Sequence, residues 1–290
     1  MASLKEVKER ISSVKSTQKI TGAMKMIASA KLRKAQGQIE RFQPYQQRLN
    51  EILEDFLASE TDFVSPFAEK RDLKSVAVVV ISSNSSLCGA FNSNIIKLFE
   101  KEWAAYRDLL RENGSIYPIG RKIYNAVVKM GLKPEGDYFE LSEKPDFEGA
   151  KAIMDLLMAD FLAKKIDRVE LIYTHFKSTS SQQLVCEQLL PIVLPDKKTG
   201  TTIQATDYIV EPDKASVIAS LLPKSLRSKL YAAILDSAAA EHAARTVAMQ
   251  IATDNAADLL DELIVQYNKT RQQAITSELL DIVSGSEALK

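Results

Sequence analysis

The stretch Ser3–Gln36, "SLKEVKERISSVKSTQKITGAMKMIASAKLRKAQ", decides the fold. Alternating steps of three and four residues from Leu4 land on Val7, Ile11, Val14, Gln18, Thr21, Lys25, Ala28, Leu32 and Ala35. The same steps continue through Ile39, Phe42, Gln46, Leu49, Leu53 and Phe56. Twelve of these sixteen positions are apolar, a heptad seam that marks a helix burying one narrow stripe against another helix. Ser3 and Glu6 form an S-x-x-E capping box just ahead of it. Pro44 predicts a bend rather than a stop. At 1.5 Å per residue, roughly 55 residues reach about 80 Å, more than a compact domain of this size needs. The seam is weakest within Ile20–Ala35, where Thr21 and Lys25 take the partner side and Ile20, Met24 and Ile27 form a displaced second stripe.

The other end repeats the pattern. From Asp213 to Gly285 there is one proline, Pro223, and no earlier glycine. Apolar and small residues recur at Leu226, Leu230, Ala233, Ala240, Ala244, Val247 and Ile251, then in a shifted register at Ala257, Leu260, Ile264 and Tyr267. Gly285 is the expected C-terminal stop.

Between the two helices the pattern changes. "SVAVVVI" (Ser75–Ile81) is a continuous β-branched run, expected as a strand buried on both faces. Further strands are expected at Ser115–Gly120, Arg168–Phe176 and Gln182–Val193. Helices are expected after "SSNSSLCGAFN" through Asn113, over Arg121–Met130 and over residues 149–165, with loops at 133–148 and 194–212. Strands alternating with helices make a small α/β domain. Three domains follow: residues 1–57 as an N-terminal coiled-coil helix, 70–212 as a Rossmann-like α/β foot, and 213–290 as a C-terminal coiled-coil helix. Both helices join the same middle domain, so they pair as an antiparallel coiled coil. Their charges agree: residues 1–50 hold eleven Lys/Arg against Glu6, Glu9 and Glu40, whereas residues 236–290 hold nine Asp/Glu against four Lys/Arg. Each exposed pair contributes well under about 1 kcal/mol.

Composition excludes several functions. Lys plus Arg and Asp plus Glu each total 38, so no overall basic bias points to nucleic acid or anionic lipid. The run Ser75–Ile81 is far short of the roughly 20 residues that span a bilayer, and residues 1–20 hold no apolar run of a secretory signal. Two cysteines, Cys88 and Cys186, lie far apart and fit a reducing compartment with buried or idle thiols. The loop "SSNSSLCGAFN" sits where a dinucleotide loop would, but offers only Gly89 where the fingerprint needs three glycines; a structural turn is the expectation. "KTGTT" near Gly200 lacks the frame of a phosphate loop. His175 and His242 fall in unlike segments and are read as structural rather than as a triad or zinc site. Glu278 and Asp281, three apart, read as a solvated face. The basic N-terminal helix admits a nucleic-acid arm, a presequence or a rod facing acidic proteins. No aromatic precedes Phe42 to stack on bases, and the residues alone favour a solvated coiled-coil flank.

Three stretches then resemble one family. The opening stretch is similar to the start of the γ subunit of F-type ATP synthases. "LCGAFNSNI" resembles that family's LCG-x-x-N loop. "NKTRQQAITSELLDIVSGSEAL" resembles its C-terminal signature, met by Ile275, Thr276, Glu278, Asp281, Ile282, Ser284 and Gly285, and "SAAAEHAARTVAMQIATDNA" extends the match. The resemblance implies a non-catalytic rotor with no cofactor of its own. Its coiled coil would run along the axis of a ring of three α and three β subunits, and its foot would sit on the c-ring of Fo with the ε subunit. Carried over by position, Met24, Lys31, Arg33, Lys34, Arg271 and Gln272 are expected to face β, and Tyr208 and Glu211 to lie near the c-ring or ε. Asn84, Ser85 and Ser86 replace the Asp-Arg/Lys-Gly that many members carry, and Val210 stands where an aromatic is common. No regulatory cysteine insertion is visible. The expected place is the cytoplasmic face of a bacterial inner membrane, with peripheral attachment through Fo.

Overall fold

A computed structural model describes residues 3–59, 65–69, 71–106, 114–192, 210–211 and 213–288. Helix α1 (Leu4–Ser59) leads through a short 3-10 turn (Pro66–Ala68) to β1 (Val76–Ile81), α2 (Phe91–Ala105), β2 (Ser115–Ile119) and α3 (Arg121–Lys129). Then come α4 (Phe139–Glu143), α5 (Phe147–Leu162), β3 (Arg168–Phe176), β4 (Gln182–Leu190) and α6 (Lys214–Ala288). The chain divides into two compact units, residues 1–29 with 245–290 and residues 30–244.

The larger unit is built on a four-stranded sheet in the order β2-β1-β3-β4. β1 is parallel to both neighbours, and β4 closes antiparallel on β3. The run Val76–Ile81 is buried at every residue because both faces are covered. Ala77, Val79 and Ile81 pack with α5 and with Leu226, Leu230, Ala233 and Ile234 of α6. Val76, Val78 and Val80 pack with α2, α3 and Ala240. The strands fall where the alternation placed them, although β4 ends at Leu190. Residues 139–143, expected as loop, make one helical turn that packs Leu141 into the core.

In this unit α1 and α6 pair antiparallel. Leu53 and Phe56 meet Ile218 and Leu222; the Phe42 ring stands edge-on to Tyr231 at 4.9 Å; Leu32 and Ala35 meet Ala239 and Ala243. Residue numbers rise on one helix as they fall on the other. From Ser237 to Glu241 every residue of α6 is buried, because Ala239 faces α1 while Ala240 faces the sheet. Small side chains allow that double approach at interior packing density. Ion pairs add polar ties from α6: Arg227 to Asp155 of α5 at 2.6 Å and Lys229 to Glu187 of β4 at 2.9 Å.

The smaller unit joins the start of α1 to the end of α6. Val7, Thr21 and Ala28 are buried from α1, and Met249, Ala256 and Leu263 from α6. The Thr253 hydroxyl donates to the Thr21 hydroxyl across the pair at 2.8 Å.

The seam read in α1 holds: none of the sixteen positions is exposed, and the helix does not stop at Pro44. The Glu6 N–H donates to Ser3 Oγ at 3.2 Å, one arm of the expected box. Two expectations for α6 are corrected. Ile251 and Ile264 are exposed, and Met249, Ala256 and Leu263 form the seam instead. The helix also runs on through Gly285 to Ala288, and a Cβ at Gly285 would meet nothing within 4 Å, so no tertiary contact holds a cap there.

Candidate functional site

The loop after β1 comes first, since ligands of open α/β sheets bind where strand order reverses. Its polar groups are engaged with the protein itself. Asn84 accepts from the Arg121 N–H at 2.9 Å and donates to the Phe139 carbonyl at 2.8 Å. Ser83 Oγ donates to the Ser85 carbonyl at 2.7 Å and accepts from Asn92 Nδ2 at 2.8 Å, while Cys88 is buried beside them. A Cβ on Gly120, which sits at φ +108, would come within 2.2 Å of the Ser82 carbonyl. The loop therefore ties β1, β2, α3 and α4 together, with Asn84 bridging where the resemblance led to a charged residue.

The two histidines lie apart in bonding. His175 Nδ1 meets Asp236 Oδ2 at 2.5 Å, joining β3 to α6. Burial lifts the Asp236 carboxyl above the usual carboxylate range, and the His175 hydrogen bond opposes that rise. His242 lies 4.0 Å from Glu241 on α6. Cys186 lies exposed on β4; partial desolvation, then the nearby charges of Glu170, Glu102 and Glu187, push its thiol up to about 12. Among the described residues no group of His, Cys, Asp and Glu is arranged to hold a metal ion. No described helix is long and apolar enough to cross a membrane.

What remains is surface. In the smaller unit, α1 presents Ile20, Met26 and Ile27 to solvent, with Met24 half-buried beside them. In the larger unit, Lys31, Arg33 and Lys34 are exposed around the buried Leu32 and Ala35, which fixes them on the outer side of α1. Arg271 and Gln272 are exposed on α6. Glu211 is exposed next to Val210, which packs against the Leu53–Phe56–Ile218–Leu222 cluster. Tyr208 lies outside the described residues.

The feature that sequence reading missed is the end of α6. Every residue from Arg271 to Ser286 is exposed, among them Ile275, Leu279, Leu280, Ile282 and Val283. Counting residue for residue from the Thr21–Thr253 pair, the first turn of α1 is reached near Thr270, so among the described residues the sixteen beyond have no stretch of α1 to lie against. The signal was available in the lengths, since an antiparallel partner of 56 residues cannot cover a helix of 75. An apolar patch of this extent marks an interaction surface.

Paired long helices, a small mixed sheet whose loop is closed on itself, and an uncovered apolar helix end define a helical-pair protein with an apolar surface open to partners. Comparison with known proteins narrows the class. A family model described as "ATP synthase" matches residues 3–289. The ATP synthase gamma chain of Bacteroides fragilis is 57% identical over 99% of this chain and 100% of its own length, and that of Phocaeicola vulgatus is 55% identical over the same shares. Among solved structures, a chain of the Euglena gracilis mitochondrial ATP synthase, in an OSCP/F1/c-ring structure in rotational state 3, matches with a TM-score of 0.68. It is 19% identical and covers 99% of this chain and 94% of its own, a likeness of fold. The chain belongs to the ATP synthase gamma chain family.

Proposed function

We propose that this chain is the central-stalk shaft of an F-type ATP synthase, a rotor that couples proton flow to ATP synthesis or hydrolysis and is itself non-catalytic. Residues 1–57 and 213–290 form the shaft and residues 70–212 the foot. The observation that carries the reading is the apolar, unpartnered end of α6, residues 271–286, on a member of this family. Large aliphatic side chains standing in water require a sleeve, and a ring of three α and three β subunits supplies one. A shaft must also turn, so its surface should touch the ring without deep interlocking, because close-packed interfaces resist sliding. The slim, basic face around Ile20–Ala35 suits that need. Met24, Lys31, Arg33 and Lys34, with Arg271 and Gln272, face the β subunits, where positive charge meets acidic loops. Tyr208 and Glu211 lie toward the c-ring or the ε subunit. The assembly sits on the cytoplasmic face of a bacterial inner membrane, and this chain reaches the membrane only through Fo.

Reconstitution tests this. Fo vesicles that receive the ring and ε with this chain should acidify on ATP addition, and the same vesicles without it should not. Replacing Arg271 and Gln272 by Ala should lower pumping more than hydrolysis. Hydrolysis of ATP by the chain alone, or full pumping without it, would overturn the reading.

A further inference from the structure

Between Val14 and Leu32 the α1 seam carries Gln18, Thr21, Lys25 and Ala28, so α1 offers no large apolar side chain there to act as a knob. Knobs from α1 therefore do little in this segment to fix how the two helices are turned about their own axes. In that gap lies a directed chain of hydrogen bonds. The Thr253 hydroxyl of α6 donates to Thr21 Oγ1 at 2.8 Å, and the Thr21 hydroxyl donates to the Gln18 carbonyl at 3.1 Å. Thr21 is 9% exposed and Thr253 is half-buried, so the bond is sheltered from competing water. The Met249 carbonyl lies 2.7 Å from Thr253 Oγ1 and offers a second acceptor for the same proton. Separating the two hydroxyls therefore leaves neither without a partner. The cross-helix bond adds little to holding the helices together; it distinguishes one arrangement from its neighbours, as a single polar layer does in a coiled coil.

We propose that Thr21 and Thr253 are positioning residues whose bond sets the rotational phase of the two helices in the smaller unit. That phase decides which side chains face outward, at present Ile20, Met26 and Ile27 at 59%, 69% and 60% exposure. A roll of α1 that broke the bond would draw one of these toward the seam and turn Thr21 out. The consequence for coupling rests on the shaft reading above; the phase itself does not.

Spin labels at the exposed positions Ser16 and Asn255 of the full chain read the phase by double electron–electron resonance. Thr21→Val with Thr253→Val keeps the side-chain shape and removes both hydroxyls. The distance distribution should broaden about twofold, while the thermal midpoint stays or rises because methyl groups replace buried hydroxyls. Thr253→Ser, which keeps the donor, should keep the narrow distribution. An unbroadened distribution in the double variant overturns the proposal, and so does a lowered midpoint with the distribution unchanged. If the double variant loses its helical circular dichroism, Thr253→Val alone carries the same readout, since Thr21 keeps its bond to Gln18. In the assembled synthase the double variant should pump about half as many protons per ATP. Broadened distances with normal pumping would uphold the positioning role and count against the shaft reading instead.

Discussion

Between Leu226 and Ala243 not one residue of α6 is exposed; between Arg271 and Ser286 every residue is. Both stretches are rich in apolar side chains, so hydrophobicity does not separate them. What packs around them does. The first stretch turns to small residues, Ser237 through Ala240 and Ala243–Ala244, where α1 and the sheet close in on two sides. The second carries Ile275, Leu279, Leu280, Ile282 and Val283, large aliphatics that stand half-exposed or more. A helix squeezed between two fixed neighbours needs small residues, whereas one that meets its partner elsewhere can keep broad apolar faces.

The largest test of this contrast is a leucine truncation in the buried stretch. Leu230 is fully buried among Leu226, Ala233, Ile234 and the α5 face of the sheet. Leu230→Ala should destabilise the chain by about 3 kcal/mol, the loss of buried surface plus the cavity left behind. Urea unfolding followed by circular dichroism reads it; a loss under about 1 kcal/mol would mean that this stretch is not the rigid core described.

The same contrast explains what sequence could and could not reveal. The seam of α1 was readable because the heptad spacing persists over sixteen positions, whereas the off-seam apolar residues Ile20, Met26 and Ile27 are confined to one short stretch and stay exposed. In α6 the stretch Leu259–Val265 holds Leu259, Leu260, Leu263, Ile264 and Val265, which wrap around the helix. Periodicity alone chose Ile264; the partner helix chose Leu263. The strands were legible because a β-branched run such as Val76–Ile81 satisfies only a doubly covered strand. The closure of the loop on Asn84 was not legible, since it rests on contacts with Arg121 and Phe139, 37 and 55 residues away in sequence. For the surface residues, sequence resemblance supplied their roles and the fold supplied only their exposure.

Alkaline pH should loosen the larger unit selectively. Desolvation pushes both the Cys186 thiol and the Tyr117 hydroxyl up to about 12, and raises Tyr173 still further. The folded chain thus keeps protons that the unfolded chain releases, so stability must fall as pH rises from about 9 toward 12. All three groups belong to the larger unit. The direct check is alkylation of Cys186 with iodoacetamide, which attacks through the thiolate. Cys186 is solvent-exposed on β4, so the reagent reaches it, and at pH 8 labelling should run slower than for a free thiol of ordinary pKa and keep rising with pH toward about 12. Labelling at pH 8 as fast as a free thiol's would show that neither partial desolvation nor the carboxylates beside it raise this thiol.

The smallest expected effect falls at the other end of the comparison. Leu279 is 57% exposed, so Leu279→Ala removes little buried surface from the isolated chain and should change its stability by no more than about 0.5 kcal/mol. The same substitution at Leu230 and at Leu279 deletes the same atoms, so any difference between them measures what surrounds each leucine. If Leu279→Ala were as damaging as Leu230→Ala in the isolated chain, the end of α6 would have to pack against this chain, and the contrast would collapse. Within an assembled ring the prediction changes. A sleeve that covers Leu279 would turn the truncation into a loss at a buried site, read as faster release of the chain from the complex at fixed salt. An effect seen only in the complex places the missing contact surface on the partner.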